Sequence, residues 1–277
     1  MKFGVSTFVT DEGISPKALG PALEERGFDS LLLAEHSHIP VERESPYPGG
    51  GELPRIYYRT LDPFVALAAA ASVTRDLLLG TGIALVVQRD PIHTAKEVAS
   101  LDLISGGRAV FGVGAGWNRE EMRNHGTDPA VRGKLMDERI RAMIELWTKE
   151  KAEFHGDFVD FDPVYAWPKP VQKPHPPIWV GGESERAFER VAEYGAAWMP
   201  SEPPLEKLGE LIARMRQKAG GRPSVVVYAG RHDREALDTY AELGVERVLL
   251  YLPTLPEDQT LRTLDELAEA TSGHRDG

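Results

Sequence analysis

AVFGVGAGWNREEM (109–122) and PPIWVGGESERAF (176–188) each carry an apolar run through glycines directly into a helix start. A run that is apolar at consecutive positions suits a strand buried on both faces, the habit of parallel strands covered by helices. Where such a strand hands over to a helix, backbone N–H groups lack intrahelical partners and face outward, and an anion can sit there. Two such junctions in one chain make strand and helix repetition the central question of the fold.

Working outward from them, short aliphatic or β-branched runs predict strands at 2–8, 29–34, 77–84, 108–114, 177–181, 196–199, 224–228 and 246–251. Helix starts between them are marked by a capping side chain before a proline, at Ser15-Pro16, Asp62-Pro63 and Asp90-Pro91. The segment 91–105 spaces Ile92, Ala95, Ala99 and Leu103 three and four apart, and 134–148 does so with Leu135, Ile140, Met143 and Trp147. Eight strands alternating with helices predict an α/β fold, a (β/α)8 TIM barrel formed as one domain over 1–277, with reactive groups in the loops after the strand C-termini. A doubly wound open sheet is the alternative. Two intervals exceed ordinary connections: 36–61 after the second strand, rich in Pro, Gly and Tyr, and 149–176 between the fourth and fifth strands. Such long loops are usually lids or binding segments, and both are expected to begin at the active face or return toward it. The polar tail 272–277 is expected to fray, and no internal repeat stands beyond the strand and helix alternation.

Composition narrows the chemistry. The 277 residues are 42% hydrophobic, enough for a large single core, and the formal net charge of −11 argues against nonspecific nucleic-acid or anionic-membrane partners. With no cysteine, disulfides, thiolate catalysis and cysteine metal sites are excluded. The N-terminus lacks a basic region followed by a long apolar stretch. The longest apolar run, 64–73, is too short to span a bilayer, so a cytoplasmic protein is expected.

Several residues are chemical candidates. The glycines of 112–116 permit close ligand approach, although tight packing at a strand end explains such a pentapeptide equally well. Gly181, Gly182, Glu183 and Ser184 repeat the design at another strand end, and two convergent amide nests suit a phosphate; an ordinary strand-to-helix turn is the plainer explanation. Glu35 and His36 close the second strand, so an imidazole with a carboxylate beside it in sequence is expected at the barrel mouth, as acid, base or hydrogen-bond donor, or as a structural histidine. His36 and His38 form a His-x-His pair, which offers a divalent-metal alternative, but His125, His155 and His175 fall in predicted loops or helices and the eighth strand ends without an acid. Gly82 interrupts the third strand and marks either a bulge, a close backbone contact or simple packing. Asp102 and Arg108 are expected to be a structural ion pair or caps, and no Gly-x-Ser-x-Gly nucleophile elbow occurs.

Taken together, 61–122 and 168–200 closely resemble the luciferase-like monooxygenase superfamily. The resemblance covers most of 1–200, including the hairpin-like FHGDFVDF (154–161), while 201–277 agrees mainly in strand order. It implies a (β/α)8 barrel binding a flavin or deazaflavin in the mouth, most like the branch that uses coenzyme F420, with FMN as the alternative cofactor. Carried over, Glu35 and His36 match the acid and the histidine beside the reactive ring. Gly82, Ile83 and Ala84 fall at a bulge with a nonprolyl cis peptide behind the ring. Gly114, Ala115, Gly116 and Trp117 line the cofactor's chain, and Gly181, Gly182, Glu183 and Ser184 its phosphate. Trp117 stands where relatives that oxidise glucose 6-phosphate have a glutamate, which disfavours a sugar phosphate substrate, and Glu183 stands where a small polar residue is usual. The implied activity is hydride transfer between F420 and a small organic substrate, with Trp117, Tyr57 and Tyr58 as substrate walls and a separate enzyme reducing the cofactor. A monooxygenase using reduced FMN and oxygen is the near alternative, and a noncatalytic flavin or deazaflavin carrier, distinguished by absence of turnover, is the alternative of another class. Helix 63–74, rich in alanine, is expected to support a homodimer.

Overall fold

The computed structural model describes residues 1–194 and 197–275. Eight parallel strands follow one another in the chain: β1 (Lys2–Thr7), β2 (Ser30–Leu33), β3 (Leu78–Thr81), β4 (Ala109–Val113), then, after a short two-stranded hairpin of β5 (Ala152–His155) and β6 (Asp160–Val164), β7 (Ile178–Gly181), β8 (Ala197–Met199), β9 (Val226–Gly230) and β10 (Arg247–Tyr251). Their spatial order is β8-β7-β4-β3-β2-β1-β10-β9, so the hairpin stands outside the sheet. The two edges meet: Trp198 bridges Val225, Ser201 bridges Tyr228, and the Tyr228 amide donates to the Pro200 carbonyl at 2.8 Å. The result is a (β/α)8 barrel. Its inner core holds Leu32, Val110, Trp179, Met199, Val226 and Leu249, and a larger apolar layer separates strands from helices.

The helices follow from local chemistry. Ser15 Oγ accepts from the Ala18 amide at the start of α1 (Pro16–Glu25), Asp62 Oδ1 from Phe64 and Val65 at the start of α3 (Pro63–Ala71), and Asp90 Oδ1 from His93 at the start of α4 (Pro91–Ser105), with α2 (Ile56–Arg59) a single turn before α3. Each cap contributes about 1 kcal/mol. After β4 come α5 (Arg119–Asn124), capped by Asn118, and α6 (Arg132–Thr148); the rest are α7 (Glu185–Tyr194), α8 (Leu205–Ala219), α9 (Arg234–Glu242) and α10 (Glu257–Thr271). None of the helices among the described residues is long and apolar enough to cross a membrane.

Several expectations need correction. The third strand stops at Thr81, short of residue 84, and Ala84 rejoins the sheet through a single bridge to Val113; the Gly82–Ile83 peptide between them is cis, as the resemblance implies. The ninth strand lies two residues later than its apolar run suggests. Of the expected strand 196–199, residue 196 lies outside the described residues, as do 276–277 of the tail. Asp102 and Arg108 do not pair. Buried Asp102 accepts from the Gln172 amide and side chain, while Arg108 donates to the Leu77, Ala71 and Thr74 carbonyls, so both serve as caps.

The insertion 149–176 also departs from expectation. Its hairpin doubles back along α6, where Glu138 accepts from the consecutive amides of Asp157, Phe158 and Val159. The chain then passes under α4 to the N-terminal rim, where His175 packs against Trp147. His155 therefore ends a strand, bonded to Asp160, and not a loop or helix. The other insertion, 36–61, does fold over the strand C-termini, anchored where Ser45 Oγ accepts from the Arg119 amide.

Candidate active site

At the C-terminal ends of the strands a cavity of about 410 Å3 is lined by Gly82 and Ile83, by Gly114 to Trp117, and by Gly181, Gly182 and Ser184. The loops after β3, β4 and β7 thus converge. A Cβ on Gly114 would meet Ile83 Cδ1 at 2.1 Å, so any side chain there would displace the tip of Ile83, while one on Gly181 would sit in ordinary contact with Ile83 Cγ2 at 3.4 Å. Gly116 and Gly182 take φ of 72° and 102°, a region that L side chains rarely adopt. These conformations turn main-chain amides out of the sheet. Among the described residues, the amides of Ala115, Gly116, Trp117, Gly182, Glu183 and Ser184 reach no protein acceptor, so they are free for a ligand. The far wall is apolar, with Met136, Ala187 and Met199, and carries one cation, Arg190. Arg190 is held by Asp137 at 2.6 Å and by the Gly133 carbonyl. Free amides, positive-φ glycines and an apolar slot fit the phosphate tail and the tricycle of a flavin or deazaflavin.

Four expected residues stand apart from this cavity, His36 among them. Glu183 is exposed and contributes no side-chain lining. Ala84 is fully buried beneath the floor, where its amide donates to Gly112 and its carbonyl accepts from Gly114. Glu35 lies behind β2: its carboxylate accepts from the Leu85 amide at 2.7 Å and from Arg89 Nε at 2.5 Å. Burial pushes the Glu35 carboxyl above its usual range, against the pull of Arg89 and the Leu85 amide. Arg89 also binds Asp62 and Glu97, so this group fastens the mouth together, and Glu35 reaches the neighbouring cavity that His36 lines. Ser184 has a second task, since its Oγ accepts from the Ala187 amide and caps α7.

His36 lines a neighbouring cavity of about 340 Å3 with Thr60, Asp62, Gln88, Arg89 and His125. Its ring is buried, and its Nδ1 lies 2.7 Å from Oε2 of Glu121, which is fully buried on α5. The Glu121 Oε1 accepts from the Ser37 amide at 3.1 Å. Sequence adjacency thus suggests the wrong partner: the carboxylate on His36 comes from 85 positions away. No signal in the sequence singled out Glu121, beyond its place one turn after the glycines. Outside this pair, Ser37 Oγ lies 2.6 Å from His125 Nε2 and 2.9 Å from His38 Nδ1, and His38 Nε2 bonds Asn124. Burial and the neighbouring His38 hold His125 below the usual imidazole range.

Trp117 joins the two cavities. Its ring lines the first and stands edge-on to His36 at 5.7 Å. Tyr57 lies 5.2 Å from both His36 and Tyr47, and both tyrosines contact Trp117 at 6.3 Å. Insertion 36–61 therefore delivers a cluster of aromatic rings over the mouth. Tyr58, an expected wall, is exposed and takes no part in it, whereas Tyr47 does. Burial raises the Tyr57 phenol far above its ordinary value, so it stays a neutral donor, bonded to Tyr47 Oη. On the barrel floor, Tyr228 packs against Gly82, whose Cβ would meet its ring at 2.4 Å.

A larger cavity, about 880 Å3, opens at the opposite end, among Lys2, Leu78, Val110, Ile178 and Arg247, where strands begin. That face carries stability in barrels of this type, and Arg247, buried and paired with Asp29 at 2.7 Å, does so here.

Comparison with known proteins shows the family and the fold. The family model described as luciferase-like monooxygenase matches residues 15–275. An uncharacterized protein of Mycobacterium tuberculosis is 40% identical over 276 residues, covering 97% of this chain and 98% of the relative. The crystal structure of monooxygenase RslO1 from Streptomyces bottropensis superposes with a TM-score of 0.80 at 23% identity, covering 99% of both chains. An F420-dependent secondary alcohol dehydrogenase, solved with an F420-acetone adduct, superposes with a TM-score of 0.76 at 18% identity over 100% of both chains.

Proposed function

This chain belongs to the luciferase-like monooxygenase family, and from that premise we propose that it is an F420-dependent oxidoreductase passing hydride between the deazaflavin and a small organic substrate. The observation that carries this is the 410 Å3 cavity, where six unengaged amides from two strand ends face an apolar slot floored by Ile83. The F420-dependent neighbour, matched along the full length of both chains, supports a deazaflavin, and an FMNH2-dependent relative supports the flavin alternative.

When bound, the deazaflavin supplies hydride acceptance and donation. The chain's own residues do the rest. Amides of residues 115–117 and 182–184 hold the phosphate tail, with Arg190 adding positive charge at the far wall. Ile83 and Trp117 confine the tricycle, and the rings of Tyr47, Tyr57 and Trp117 exclude water above it. His36 holds or takes the proton that accompanies hydride transfer at a substrate oxygen, through the ring nitrogen that Glu121 leaves free. A separate reductase or dehydrogenase restores the spent cofactor. We propose a homodimer for the assembled enzyme.

A second reading, oxygenation of a small substrate with reduced FMN, draws on the family's name and on the monooxygenase neighbour. A fluorescence titration of cofactor-free protein separates the two. F420 is expected to bind at least about 10-fold more tightly than FMN, a difference of about 1.4 kcal/mol. Far tighter FMN binding overturns the deazaflavin assignment.

A further inference from the structure

We propose that Glu121 is a positioning residue, holding His36 in the tautomer protonated at Nδ1 so that Nε2 faces the reaction as the proton-exchanging atom. The role of His36 rests on the function proposed above; the tautomer does not.

Three features carry the inference. First, Glu121 is fully buried on the six-residue helix α5 beside the mouth. Its oxygens are divided between two residues: Ser37 takes Oε1, through its amide at 3.1 Å and its Oγ at 3.4 Å, and His36 Nδ1 at 2.7 Å takes Oε2. Second, a backbone amide can only donate. The Ser37 N–H therefore fixes which end of the side chain meets the imidazole, and an ionised carboxylate there demands a hydrogen on Nδ1. Third, His36 Nε2 has no hydrogen-bond partner among the described residues, and it is not one of the buried unpartnered atoms, so it opens to the cavity that His36 lines. The nitrogen remaining for a ligand is the one that a carboxylate-oriented imidazole presents in proton transfer.

The rest of the surroundings agree. The aromatic rings of Tyr57 and Trp117 hold the imidazole plane from two sides, at 5.2 and 5.7 Å. Glu35 is spoken for by Arg89 and Leu85, so it does not compete for the ring. The remaining titratable groups beside the pair, His125 and His38, contact Ser37 and not His36.

Side-chain 15N spectra of histidine-labelled, cofactor-free protein test this without any turnover, with His36→Ala assigning the resonance. Wild type is expected to show a protonated Nδ1 and an unprotonated Nε2 at neutral pH. In Glu121→Gln, the Ser37 amide keeps the amide oxygen in place and turns the NH2 toward Nδ1, so the proton moves to Nε2. Glu121→Asp, which keeps the carboxylate, is expected to retain the wild-type tautomer. Once F420 turnover is measured, Glu121→Gln is expected to lower kcat roughly 10- to 100-fold with little change in cofactor affinity, and Glu121→Asp to recover part of the loss. A wild-type His36 protonated at Nε2, or a Glu121→Gln spectrum identical to wild type, overturns the assignment. Should Glu121→Gln fail to fold, the wild-type spectrum decides alone. Lack of any F420 reaction would sink the proposed function and leave the tautomer result standing.

Discussion

Gly182 carries two burdens that can be separated. Its φ of 102° penalises any side chain, and its amide is one of the unengaged donors facing the cavity. A Cβ there would find its nearest neighbour, Ala187 Cβ, at 3.7 Å, so crowding is not the issue. Gly182→Ala is expected to cost about 1–3 kcal/mol of stability through backbone strain and, as the strand end relaxes, to weaken cofactor binding at least about 10-fold. Gly220, the C-cap of α8 at φ 67° with open space around it, supplies the control. Gly220→Ala carries a similar strain far from the mouth and should leave affinity unchanged. Equal losses of affinity in the two variants, read by titration beside urea unfolding, would sink the amide cradle. Residues such as these glycines were legible in the sequence because their constraint is backbone geometry, which shows in the residue type itself. The partner of His36 was not. Glu35 is adjacent in sequence, but both residues lie in the loop after β2 ends at Leu33, where no strand or helix period relates neighbouring side chains, and Glu35 goes to Arg89 while His36 goes to Glu121.

Elements are tied at their ends by single carboxylates that cap loops from other parts of the chain. Glu24 on α1 accepts at one oxygen from the amides of Arg75, Asp76 and Leu77, just before β3, and so fixes where the third strand starts. Burial acts to raise its pKa, but the three amides and Arg108 outweigh it, and the folded value lies below the ordinary one. A carboxyl lowered on folding contributes stability that is complete above the unfolded value, about 4.3, and is lost as pH falls through the folded value. Glu24→Gln is therefore expected to reduce stability at pH 7 by about 1–3 kcal/mol and to flatten the decline on the acid side. Urea midpoints measured from pH 7 down to pH 3 check both, and parallel curves for the two proteins would show that Glu24 contributes no charge-dependent term. Glu138 plays the matching part for the hairpin, gathering the amides of 157–159. Starts such as Asp62-Pro63 could be foreseen because cap and helix are neighbours. The path of 149–176 could not, because it depends on one glutamate in the middle of α6.

At the scale of the whole molecule, eight apolar runs in alternation sufficed for the barrel, since parallel strands need covering helices and right-handed crossovers leave few arrangements. The seam was hidden: β8 meets β9 through bridges at Trp198 and Ser201, outside the regular pairing. What the closed barrel leaves exposed bears on assembly. Helices α3 and α4 pack side by side, and although their inner faces are buried, Val65 and Ile92 near their starts and Val73 and Ile104 near their ends face outward, Val65 at 70% exposure. Four exposed apolar side chains on two neighbouring helices are a candidate contact for a second subunit. A stable pair of subunits buries about 800 Å2 on each, which the faces of two such helices can supply. A lysine within that contact would bury a charge without a partner, while in a lone subunit it would stay in water. Ile104→Lys is thus expected to convert a species of twice 30.6 kDa to one of 30.6 kDa in size exclusion with light scattering, with unfolding of the isolated subunit changed by less than about 0.5 kcal/mol. A wild-type protein that elutes only at 30.6 kDa refutes the homodimer outright, and an Ile104→Lys variant that stays dimeric moves the interface off α3 and α4.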